Sequence, residues 1–123
     1  MNAIGWVEVP VTDMARAIKF YNTVFGWELQ VIDLGDLKMA WFPWEKEGQG
    51  AAGTLIKDEK NYTPGALGTL VYFSCDDVAT QIGRVDAAGG EVLQKKKQIS
   101  PEHGYMALAI DTEGNRIAFH SVK

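Results

Sequence analysis

Val11-Thr12-Asp13-Met14-Ala15-Arg16-Ala17-Ile18 returns 64 residues later as Cys75-Asp76-Asp77-Val78-Ala79-Thr80-Gln81-Ile82. The same offset carries Gly26 onto Gly90, and Val7, Val9 and Val11 onto Val71, Phe73 and Cys75. A fixed internal period is the mark of a repeated supersecondary unit. The chain therefore reads as two half-chains of one design.

Working outward, Ile4 to Val11 and Leu70 to Cys75 place apolar residues at every second position, the period of a strand with one buried face. Asp13 and Asp77 follow where a helix N-cap belongs, since a short carboxylate can accept from orphan amides of the first turn. Met14, Ala17, Ile18, Tyr21, Val24 and Phe25 then recur at helical spacing, and Gly26 suits the left-handed position that ends a helix. In the second half Val78, Ile82, Val85 and Ala88 form a thinner stripe, stopped by Gly89-Gly90. Gly83 inside that stripe costs about 1 kcal/mol of helix propensity.

Three strand-like segments follow each helix: Glu28 to Asp33, Leu37 to Trp44 and Ala51 to Lys57, then Glu91 to Gln98, Tyr105 to Ile110 and Arg116 to Val122. Glycine, proline and Asp/Asn turn chemistry separates them. The expected fold is α+β, two βαβββ modules, with module one at about 1–57, a linker at about 58–67 and module two at about 68–123. Lys95-Lys96-Lys97 reads as a solvated edge strand that resists aberrant pairing.

Composition narrows the function. The 123 residues suit one domain, and 46% apolar with 23% charged residues describes a folded globular protein. A net charge of −4 provides no basic footprint, so nucleic acid is not an expected partner. The single cysteine, Cys75, forms no disulfide within the chain, and no Cys/His spacing matches a structural zinc site. With no signal-like segment after Met1 and no apolar run of membrane-spanning length, a cytoplasmic protein without membrane association is expected.

The stretch Ala17-Ile18-Lys19-Phe20-Tyr21-Asn22-Thr23-Val24-Phe25-Gly26-Trp27, with the late turn Asp111-Thr112-Glu113-Gly114-Asn115-Arg116-Ile117 and the doubled plan, resembles the vicinal oxygen chelate superfamily. That group includes glyoxalase I, the bleomycin-resistance proteins and the extradiol dioxygenases. Within it the chain looks most like small glyoxalase-like proteins of unassigned reaction. The resemblance implies a curved mixed sheet forming a cup, helices on its convex face, a small-molecule cavity on the concave face and a homodimer.

The resemblance also implies metal ligands on the first and last strands of each module. Those positions fall on Trp6, Leu70, Ala118 and, in uncertain register, Gly53 or Thr54. None is His, Glu or Asp, so no metal or other cofactor is expected at the usual site.

Strand parity indicates what lines the cup. If Val7, Val9 and Val11 face the helices, Trp6 and Glu8 face inward, as do Leu70, Tyr72 and Ser74 from the second module and Ala118 and His120 from the last strand. Glu8 and His120 are the candidate catalytic base and acid, with Tyr72 beside them. Trp6, Trp41, Leu70, Tyr72 and Ala118 are the candidate ligand contacts, an aromatic and apolar lining.

Two readings follow. The first is binding of an apolar or aromatic small molecule without metal. The second is a lyase or isomerase using Glu8 and His120 for proton transfer, with an atypical metal as a variant that would need His103 as a further donor. His103 lies in the Ser100 to Gly104 loop, where a solvated histidine is the simpler account. Gly48-Gln49-Gly50-Ala51-Ala52-Gly53 matches GxGxxG in letters only, because strand-like Thr54-Leu55-Ile56 follows where a dinucleotide fold requires a helix. Cys75 faces the helices by parity and reads as a core residue.

Overall fold

The computed structural model describes residues 1–123. Its elements are β1 (Trp6–Pro10), α1 (Met14–Phe25), β2 (Ile32–Asp33), β3 (Lys38–Trp41), β4 (Ala52–Lys57), β5 (Val71–Ser74), α2 (Val78–Ile82), β6 (Glu91–Ser100), β7 (Gly104–Ile110) and β8 (Arg116–Ser121). They form two four-stranded sheets of the same topology, ordered β1-β4-β3-β2 and β5-β8-β7-β6. In each sheet the first strand runs parallel to the last, and the other pairings are antiparallel. This is the doubled βαβββ plan.

Both N-caps form as the sequence requires. Asp13 accepts from the Arg16 amide at 3.0 Å, and Asp77 accepts from the Ala79 amide at 2.9 Å. Gly26 ends α1 at φ 73°, its N–H donating to the Asn22 carbonyl. The buried face of α1 carries Met14, Ala17, Phe20, Tyr21 and Val24. It packs with Val9, Val11, Leu55, Phe73, Phe119 and α2 residues into one core shared by both modules.

Several segments are shorter than their hydrophobic patterns. The stripe through Val85 does pack into the core, but α2 ends at Ile82. At Arg84 and Val85 the backbone bonds tighten to the i−3 carbonyls, those of Gln81 and Ile82, where Gly83 weakens the helix. The strand expected over Glu28 to Asp33 contracts to two residues because the Leu29 amide donates to the Asn22 side chain instead of a ladder. After Trp41 the Phe42 amide still pairs with the Gly53 carbonyl, and Pro43 then removes the next donor. β6 is an edge strand as its lysines indicated, although Lys96 folds back to Asp77 at 2.9 Å and lies over the Tyr105 ring.

A polar clamp joins the modules. Glu113, in the turn entering β8, accepts from the Thr12 and Asp13 amides, the Thr12 hydroxyl and the Arg16 guanidinium at the start of α1. Burial pushes its carboxyl up, but the hydrogen bonds from Arg16, the two amides and Thr112 prevail and hold it down at about 2. Asp111 accepts from the buried Tyr21 hydroxyl at 2.7 Å, and the Asn115 side-chain amide donates to the Pro10 carbonyl at 2.7 Å.

Candidate functional site

Register decides which side chains share the inward face. In the first sheet Trp6, Glu8 and Pro10 stand opposite Ala52, Thr54 and Ile56, and these stand opposite Met39 and Trp41. Trp6 and Trp41 meet edge to face, ring centroids 6.3 Å apart, and both are substantially exposed. Between them and the linker sits Glu8. Its Oε1 accepts from the Tyr62 hydroxyl, and its Oε2 accepts from the Trp6 indole N–H at 3.3 Å. The hydrogen bond to Glu8, followed by burial, raises the Tyr62 hydroxyl above the usual phenol range.

A groove of about 470 Å³ opens beside this group, lined by Ile4, Trp6, Glu8, Leu67, Val71 and Arg116 among others. It runs along the free edge of β1 between the linker and the start of β8. Half of its lining is hydrophobic; Thr63, Thr69 and Asn115 add polar groups, and the Glu8 carboxylate and the Arg116 guanidinium are the charged ones. Tyr62 and Leu67 belong to a linker with no hydrophobic period, so no sequence pattern marks them as site residues. Tyr62 reaches Glu8 across 54 positions only because the chain turns back over the sheet.

The second sheet presents Tyr72 and Ser74 on β5 opposite Ala118 and His120 on β8, with Leu108 and Met106 beyond. Tyr72 is half exposed, Ala118 is fully covered, and Leu70 is half-buried just before β5. His120 Nε2 lies 2.7 Å from the His103 carbonyl, which can only accept, so this nitrogen carries the proton. His103 Nδ1 in turn meets the Ser100 hydroxyl at 2.8 Å. Within one chain Glu8 and His120 therefore stand on different sheets, each held by its own partner.

The positions that hold metal in the resembled superfamily are now defined. Glu8 pairs with Thr54 as Tyr72 pairs with Ala118, so Thr54, not Gly53, is the counterpart of Ala118. Gly53 points the other way: a Cβ there would lie 2.7 Å from the Val7 carbonyl oxygen. The Thr54 hydroxyl donates to the Leu55 carbonyl. Tryptophan, threonine, leucine and alanine at these four positions provide no carboxylate or imidazole, and no group of three His, Cys, Asp or Glu side chains converges anywhere. The donor set does not fit a divalent metal.

Cys75 is half-buried, and burial pushes its thiol up to about 11, a poor nucleophile. Residues 48–53 lead into β4 and not into a helix, so they form no dinucleotide cradle. No helix is long and apolar enough to cross a membrane.

A family model described as Glyoxalase/Bleomycin resistance protein/Dioxygenase superfamily matches residues 3–119. A glyoxylase-like domain-containing protein from Didymella fabae is 32% identical over 115 residues, which cover 91% of this chain and 88% of the relative. Among solved structures, TnmS3, an antibiotic binding protein from Streptomyces, aligns with a TM-score of 0.71 at 24% identity over 98% of this chain and 96% of its own. Glyoxalase I from Zea mays aligns with a TM-score of 0.70 at 20% identity over 95% of this chain, which spans 45% of the maize chain. At these identities the two structures speak for the fold.

Proposed function

Because this chain belongs to the Glyoxalase/Bleomycin resistance protein/Dioxygenase superfamily, we propose that it uses the shared fold to bind a small aromatic or apolar molecule without the usual metal. The molecule lies in the groove beside β1. Its ring packs against Trp6, and a hydrogen-bond donor meets Glu8. The observation that carries this reading is the Glu8 group itself. A carboxylate on a partly apolar wall, oriented by Tyr62 and Trp6, is a ready acceptor beside a groove of ligand size. A relative of matching length and fold is an antibiotic binding protein, which supports sequestration over turnover.

The lyase or isomerase reading requires Glu8 and His120 to meet on one substrate, and each has a separate partner within the chain. A homodimer is part of the proposal, because Trp41, 56% exposed on the inward face of the first sheet, offers apolar surface that a second copy would cover.

The test is titration of ¹⁵N-labelled protein with 1-naphthylmethylamine, whose ring and cationic donor match the groove. The expected result is a shift of the Trp6 indole N–H and affinity weakened about tenfold in Glu8→Gln, the loss of one charge-assisted hydrogen bond. No shift at Trp6, or zinc, nickel, manganese or iron bound one per chain in purified protein, would overturn the proposal.

A further inference from the structure

The internal repeat permits a position-by-position match of the two turns that enter the last strand of each module. Gly50 and Gly114 are 64 residues apart and both left-handed, at φ 93° and 90°. On the same offset Gln49 stands where the second module has Glu113, Ala51 where it has Asn115, and Ala52 where it has Arg116. Glu113 and Asn115 clamp their turn onto the other module. Gln49 makes no side-chain hydrogen bond and Ala51 can make none. No backbone bond ties residues 47–51 to the second module either.

The unclamped side is open. A crevice of about 340 Å³ lies there, between the turn and the free edge of β5. It mirrors the groove beside β1, and the two share Val7 and Val71, which the repeat also equates. The linings differ in kind. Twelve residues line the crevice and none is charged. Trp27, Phe42 and Phe73 form its wall, with ring centroids 5.4 to 6.2 Å apart. Phe42 can lie flat there because Gly53 is its neighbour: a Cβ at Gly53 would sit 3.0 Å from the ring. The corresponding pair in the second module is Ala109 and Ile117, so the bulk has moved from one strand to its partner. Exposed Gln49 and Ser74 supply the polar groups at the rim.

We propose that this crevice is a second binding site, separate from the groove at Glu8, for a flat, uncharged aromatic molecule of one or two rings. The volume is at the lower end of ligand cavities, roughly 300 to 1,000 Å³. The wall offers edge and face contacts to a ring. A charged ligand would lose hydration with no counter-charge in the lining. Gln49 and Ser74 serve a single hydroxyl, amide or carbonyl on the ligand.

The test uses 2-naphthol, neutral at pH 7, titrated into the ¹⁵N-labelled full chain. The expected result is shifts at the Trp27 indole N–H and at the amides of Gln49, Gly50, Ala51 and Val71 to Ser74, with magnetisation transfer from probe to the Trp27 and Phe73 rings. Ala51→Phe, at an exposed position, should fill the opening and weaken affinity about tenfold or more. Leu93→Ala, on the far edge strand, should leave it within about twofold. Transfer to Trp27 in the unaltered protein decides the matter even if the Ala51 variant does not fold. Shifts confined to Ile4, Trp6 and Leu67, or affinity unchanged in Ala51→Phe, would overturn the proposal. Crevice shifts that follow protein concentration without probe would overturn it too, since a second copy would then cover the site. Failure at the groove shows at Trp6 with the amine probe, so the two proposals fail independently.

Discussion

Replacing Glu113 by Gln removes the charge on which the two modules close. The carboxylate is fully covered and receives the Arg16 guanidinium at 2.7 Å, the Asp13 amide at 2.8 Å and the Thr12 amide at 2.9 Å. Its pKa is held at about 2, against 4.5 for a free glutamate. Each tenfold change in proton affinity is worth about 1.4 kcal/mol, which sets a ceiling of roughly 3 kcal/mol. Arg16 is 50% exposed, so solvent screens part of that, and about 2 kcal/mol is expected at pH 7. The folded-state pKa is depressed, so this stability is complete above 4.5 and is lost as pH falls towards 2. Urea unfolding of both proteins should give a gap of about 2 kcal/mol at pH 7 that shrinks below about 1 kcal/mol near pH 2.5. A gap below about 0.5 kcal/mol at pH 7, or one that does not shrink in acid, would refute the charge-based clamp.

Tyr21→Phe should cost about 1–2 kcal/mol in the same unfolding assay, because it strips the buried Asp111 of the hydroxyl donor at 2.7 Å; an unaltered midpoint would show that the bond adds nothing. Gly53→Ala should cost about 2 kcal/mol, since its Cβ meets the Val7 carbonyl oxygen at 2.7 Å and strands β1 and β4 must part. Gly65→Ala, with nothing within 4 Å, should stay within about 0.5 kcal/mol of the parent, and equal losses in thermal melts of the two alanine variants would contradict the close approach at Gly53.

Much of the fold is legible because its rules are local. Alternation at Val7, Val9 and Val11 sets which face of β1 is buried, and Asp13 and Gly26 mark the ends of α1 by capping chemistry that needs no distant partner. Local patterning overstates extent wherever another bond competes. The Asn22 side chain takes the Leu29 amide from β2, and Gly83 shortens α2 while Val85 keeps its place in the core. At the site, alternation puts Trp6 with Glu8 on one face and Tyr72 with Ala118 and His120 on another, as the register has them, and only the register adds Trp41 to the first. Parity operates within a sheet. It does not tell how two sheets sit relative to each other, so the expected meeting of Glu8 with His120 had no warrant from alternation.

The chain alone determined that there are two modules of one plan and which strand faces turn inward. Those properties follow from periodicity and residue type, and both are readable along a line. Only the tertiary structure decided that Tyr62 is the partner of Glu8, that Glu113 and Asn115 clamp one side of the module junction, and that the side at Gln49 and Ala51 stays open. The reason is physical: the bonds at Tyr62, Glu113 and Asn115 join segments 54 to 105 residues apart in sequence, so packing of the shared core, and no local propensity, brings them together.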